Sequence, residues 1–120
     1  MIQIFGTKKN ADARKAERFF KERGVKYQYV DLAEKGLSKG ELQAVMQACG
    51  GPDALLDPNA KDKDLYTLIA YLAPEQKLQK VLENQQVLRQ PIVRCGKAAA
   101  VGNAPEAWKK MIETQNTGRK

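Results

Sequence analysis

The chain has 120 residues, 42% of them hydrophobic and 29% charged, enough apolar material for one domain with a real core and too much for wholesale disorder. Its 21 basic and 14 acidic residues leave a net charge of +7, a size that simply keeps a small domain soluble. Acids such as Glu17, Glu22, Asp31, Glu34, Asp62 and Asp64 interrupt the bases, and no stacking-aromatic or groove-helix motif accompanies them, so direct nucleic-acid binding is not expected.

There is no histidine, and the two cysteines, Cys49 and Cys95, form no CxxC. This excludes zinc sites of the usual Cys/His kinds within one chain, and imidazole acid–base chemistry with them; no metal is expected. No apolar run approaches the roughly 18–20 residues that a membrane helix needs. The start of the sequence enters a strand without a signal-peptide pattern, so a cytoplasmic location and no membrane association are expected.

In chain order, Ile2, Ile4 and Phe5 form a short apolar strand, followed by the loop Gly6-Thr7-Lys8-Lys9 and an amphipathic helix ending near Gly24. Asn10 and Asp12 are both good N-cap types for that helix. Val25 to Val30 is a second strand, aromatic and β-branched, and completes a βαβ unit with a parallel pair. Ser38 and Glu41 make a capping box ahead of Leu42, Val45, Met46 and Cys49, one face of a helix that Gly50-Gly51-Pro52 ends. That placement makes Cys49 a core residue.

Asp62 and Asp64 suit the electrostatics of a helix start, and Leu65, Leu68, Ile69 and Leu72 form the apolar face of the helix that follows. Pro74 opens another helix, with Leu78, Val81 and Leu82 inward. Residues 38–88 thus read as a helical insertion. Pro91 to Cys95 and Ala98 to Val101 then form a hairpin turning through Gly96-Lys97. A last helix begins at Asn103, with Glu106 three residues on and Ala104, Ala107, Trp108, Met111 and Ile112 buried; Thr117 to Lys120 read as a solvated basic tail.

This order (βαβ, helices, ββα) resembles the ArsC/Spx branch of the thioredoxin fold. Phe5-Gly6-Thr7-Lys8 is similar to the family's aromatic-Gly-Ile-Lys loop, and Arg14-Lys15-Ala16 to its Arg/Lys-Lys-Ala. Gly36-Leu37-Ser38 resembles the start of its insert, and Leu55-Leu56-Asp57 its Leu-Leu-Asn/Ser. Gln90-Pro91-Ile92-Val93 resembles its Arg-Pro-Ile/Leu strand, and Val101-Gly102 its Val-Gly turn. The ordered set spans nearly the whole chain. It implies one α/β, thioredoxin-like domain over residues 1–120 with a four-stranded mixed sheet, and a cis peptide before Pro91.

The resemblance also marks what is missing. In the family a cysteine thiolate sits at the first helix N-terminus, where the dipole and free amides favour the anion, and two arginines hold the oxyanion. Those three positions fall here on Asn10, Asn59 and Gln90, all neutral carboxamides without the fork and fixed charge of a guanidinium. The place of the optional second cysteine holds Ala13. Arg89, one place earlier on the presumed strand, is expected to point to the opposite face.

The functional expectation is a non-catalytic binding or regulatory module with a protein partner, Spx-like relatives suggesting the RNA polymerase α subunit. Gly50-Gly51 lies where those relatives carry an interface glycine, and it also serves as an ordinary helix stop. The alternatives are a thiol-dependent oxidoreductase of arsenate reductase or glutaredoxin type using Cys95, flanked by Arg94 and Lys97, or a partner's thiol, or a protein binding glutathione or an anion. The binding candidates are Lys8, Lys9, Asn10, Asn59, Gln90 and Pro91; no catalytic residue and no obligatory cofactor are expected.

Overall fold

Strand β1 (Ile2–Gly6) is the centre of the architecture, pairing in parallel with β2 (Tyr27–Asp31) and antiparallel with β3 (Ile92–Cys95), which in turn pairs antiparallel with β4 (Ala98–Val101). The sheet order is therefore β2-β1-β3-β4, the four-stranded mixed sheet expected from the sequence. The computed structural model describes residues 2–117. Of the basic tail expected from Thr117 to Lys120, Thr117 is instead the last residue of a helix, and Gly118, Arg119 and Lys120 lie outside the described residues.

Helix α1 (Ala11–Glu22) links β1 to β2 and closes through Gly24, whose φ of 66° lets Val25 N donate to Phe20 O and Gly24 N to Lys21 O. Between β2 and β3 lie α2 (Lys39–Cys49), a 3-10 turn (Pro52–Leu55), α3 (Lys63–Ala70), α4 (Pro74–Glu83) and a second 3-10 turn (Gln85–Val87). The Ser38–Glu41 capping box forms in full, and Asp62 caps α3 through Leu65 N. Helix α5 (Pro105–Thr117) starts two residues later than expected: Pro105 takes the first helical position, where its missing amide costs nothing, and Ala104 O accepts the bond from Trp108 N.

Alternation along the strands builds two cores. Ile2, Ile4 and Val93 face Ala16 and Phe20 of α1 and Trp108 and Met111 of α5. Phe5, Val30 and Ile92 face Leu42 and Val45 of α2, Ile69 of α3 and Val81 of α4. The expected face of α3 is only partly covered: Ile69 is buried, but Leu68 is 50% exposed and Tyr71 beyond it 86% exposed. Conversely, Lys77 on α4 is buried although charged, with its ammonium on the exposed Asp53 carboxylate. Among the described residues no helix is long and apolar enough to cross a membrane.

Candidate functional site

The C-terminal end of β1, the N-terminus of α1 and the segment before β3 converge on a groove. Asn10 has extended backbone angles, and its side-chain oxygen accepts from Ala13 N at 2.9 Å, so Asn10 and not Asp12 is the cap of α1. Asn10 N in turn donates to Thr7 O at 3.1 Å, closing the Lys8-Lys9 turn. The Gln90-Pro91 peptide is cis. Gln90 Oε1 reaches across to the loop and accepts from both Thr7 N (2.7 Å) and Thr7 Oγ1 (3.0 Å).

Gly6 is the joint of this arrangement. A Cβ there would come within 2.7 Å of the Ala13 methyl and 3.4 Å of the Tyr29 hydroxyl, so the loop approaches α1 as closely as it does only because residue 6 has no side chain. The Tyr29 hydroxyl is itself buried without a hydrogen-bond partner, and burial, then Glu17 and Asp31, push its pKa up.

Two adjoining clefts open here, of about 330 Å³ and about 720 Å³, sharing Asn10, Asp57, Asn59 and Gln90. Lys9 lines the larger one, Lys8 neither. Asn59 is brought to the groove by a turn in which its amide donates to Asp57 Oδ1 at 2.9 Å. The four positions Lys9, Asn10, Asn59 and Gln90 thus do converge on one surface, although they are far apart in sequence.

Three groove residues escaped the reading of the sequence or contradict it. Arg89 does not point away: it lines the smaller cleft together with Asn10, with Nε donating to Leu56 O at 3.2 Å. The ladder begins only at Ile92, so strand alternation has no hold on Arg89. Asp12 and Asp57 line the same cleft. The turn signal Asp57-Pro58-Asn59 was the available hint for Asp57. An oxyanion placed by the first turn of α1 would meet these two carboxylates as well as the single guanidinium.

Neither cysteine reaches the groove. Cys49 packs against the α2 side of the core, and burial pushes its thiol pKa up, as its helix-face position implied. Cys95 sits opposite Ile2, at the far end of β1 from Gly6, on the α1/α5 side of the sheet. They form no disulfide, and no cluster of potential metal ligands occurs among the described residues.

Comparison with known proteins agrees with this geometry. Among solved structures, an ArsC-family-related protein from Bacteroides fragilis superposes with a TM-score of 0.81 at 18% identity, covering 92% of this chain and 96% of the other. Arsenate reductase from Vibrio cholerae gives 0.78 at 21% identity, covering 92% and 96%. An arsenate reductase (ArsC) related protein from Brucella melitensis gives 0.62 at 17%, covering 91% and 92%. No curated protein matches the sequence. These likenesses establish the thioredoxin-like fold. The model of the ArsC family matches residues 5–111, from the last residues of β1 into α5, and so takes in every element that builds the groove. The chain belongs to the ArsC family.

Proposed function

We propose that this protein is a non-catalytic member of its family, a binding or regulatory module that has lost thiol redox chemistry. One observation carries the reading: the place of the family nucleophile holds Asn10, whose oxygen is committed to capping α1, and no cysteine lines the groove around it. A carboxamide neither ionises near neutral pH nor attacks an electrophile. The second carboxamide, Gln90, is likewise turned inward onto Thr7. With two carboxylates against the single guanidinium of Arg89 in the smaller cleft, the surroundings there also disfavour the oxyanion that arsenate reduction requires.

On the Spx resemblance the partner is a protein, the RNA polymerase α subunit being the first to test, and the setting is the cytoplasm. The decisive assay is arsenate reduction coupled to glutathione or thioredoxin, for which turnover no higher than the protein-free blank is expected. Turnover that disappears in Cys95→Ser would restore the oxidoreductase reading. Affinity capture that recovers no stoichiometric protein would count against the binding role.

A second reading rests on the groove itself. Its larger cleft has the size of a small-molecule site, with Lys9 and Lys61 beside its acids, and the smaller one has Arg89 beside its own. Glutathione is the ligand to test there. Calorimetric titration with glutathione, phosphate and arsenate reads it directly, and absence of heat at millimolar ligand ends it.

A further inference from the structure

Helix α1 carries a charge pattern that its own chain does not explain. Between residues 8 and 26 there are eight basic and three acidic side chains, whereas residues 27–88 hold six basic and nine acidic. Ala13, Ala16 and Phe20 are buried on the inner face, so Arg14, Arg18 and Lys21 stand exposed in one row at i, i+4 and i+7, about 10 Å long.

Lys21 in the last turn suits the helix dipole, but the basic residues at the other end of α1 run against helix electrostatics twice. Lys8 and Lys9 directly precede the N-cap, and Arg14 and Lys15 follow within the next turn, at the end where the dipole favours anions. Arg14 and Arg18 form a like-charge pair at i, i+4 spacing. The local acids compensate little. Asp12 approaches Lys15 at 3.7 Å, and Glu17 accepts from the Tyr27 hydroxyl at 3.0 Å. Arg14, Arg18 and Lys21 enter none of the ion pairs found among the described residues. A local rule broken without a gain inside the chain points to a gain outside it.

We propose that the solvent face of α1 is a docking surface for an acidic protein segment, with Arg14, Arg18 and Lys21 as its contact row. An acidic peptide fits better than nucleic acid for two reasons. Glu17 and Glu22 interleave with the basic residues and would face a continuous phosphate backbone, whereas a peptide presents discrete carboxylates that an arginine fork can take one at a time. Helix α1 itself offers no free ring for base stacking: Phe20 is buried, Phe19 packs against Phe20 and Trp108, and the Arg23 guanidinium lies 3.7 Å above the Phe19 centroid. The surface lies along α1 rather than in the groove, so this inference does not depend on whether redox chemistry is lost.

The test is fluorescence anisotropy with a labelled oligoglutamate peptide and a labelled oligothymidylate, at about 50 mM and about 300 mM salt, where screening of exposed charges differs strongly. The variants are R14E/R18E/K21E, its neutral counterpart R14Q/R18Q/K21Q, and K39E/K63E/K80E, which makes the same charge change on the insertion. Circular dichroism checks folding, and the neutral variant carries the test if the reversed one fails to fold. Expected is salt-sensitive oligoglutamate binding that both α1 variants weaken, the reversed one by about tenfold or more as three exposed ion pairs turn repulsive. The insertion variant should keep it. No oligoglutamate binding at low salt, equal loss in the α1 and insertion variants, or tighter binding of oligothymidylate through the same three residues would each overturn the proposal.

Discussion

At its Gly6 end, β1 runs into a loop tied down by two carboxamide oxygens, Asn10 on Ala13 and Gln90 on Thr7. At its Ile2 end, roughly 13 Å away by strand rise, the same strand pairs with Cys95, a thiol that does not line the groove. One end has a groove without sulfur, and the other has sulfur that does not reach that groove. The contrast teaches that packing and hydrogen bonds alone can hold a loop and a helix N-terminus open onto a groove, with no thiol taking part. Those contacts are structural in their own right, which makes the comparison testable.

The largest effect is expected at Gly6. Gly6→Val drives a branched side chain into Ala13 and should cost about 3 kcal/mol of overpacking, read as a lower denaturant midpoint; a neutral outcome would show that the loop is not held against α1. Next is Gln90→Ala, which strips the Thr7 amide and hydroxyl of their acceptor, for an expected loss of about 2 kcal/mol. If stability were unchanged, the tie between the two loops would carry no weight.

Asn10→Ala removes the α1 cap and should cost about 1 kcal/mol. Its companion, Asn10→Cys in a C49S/C95S background, sharpens the contrast chemically. A thiol at that helix N-terminus should react with a disulfide reagent at neutral pH faster than Cys49 does in the parent protein, because the dipole favours the thiolate while burial at Cys49 opposes it. Equal rates would mean that this helix N-terminus does not activate sulfur.

The smallest effect is on pH dependence. Burial pushes up the Cys49, Tyr27 and Tyr29 pKa values, with Glu17 adding to both tyrosines. In the window above the ordinary thiol pKa the unfolded chain releases protons that the folded chain keeps. Stability should therefore be fully present at neutral pH and decline from about pH 8.5 upward, through the thiol and then the phenol range. A flat midpoint between neutral pH and pH of about 10 would contradict that.

Elements whose signal is local were legible in the sequence: the Ser38–Glu41 box, the Gly96-Lys97 hairpin, and the 3.6 period of α1, α2 and α5 each depend on residues within a few positions of one another. The family likeness added the order of the elements and singled out Asn10 at the start of α1. What the sequence left open were relations across long separations. Periodicity made Leu68 a buried residue of α3, but whether a helix face is covered depends on its neighbours, and here half of that side chain meets solvent. Arg89 was assigned by strand alternation to the wrong side, because the ladder that enforces alternation starts three residues later.

From the residues and the family likeness came a thioredoxin-like chain with three carboxamides, Asn10, Asn59 and Gln90, as candidate binding groups. Only the tertiary structure decided what those groups do: Gln90 lies 83 residues from the Thr7 hydroxyl and amide it holds, and Asp57 and Arg89 enter the same cleft from a turn and a loop with no periodic signature. Helix caps and hairpins are written in neighbouring residues, whereas a groove is made where distant segments close on one another, and its charge is the sum of side chains that no local pattern brings together.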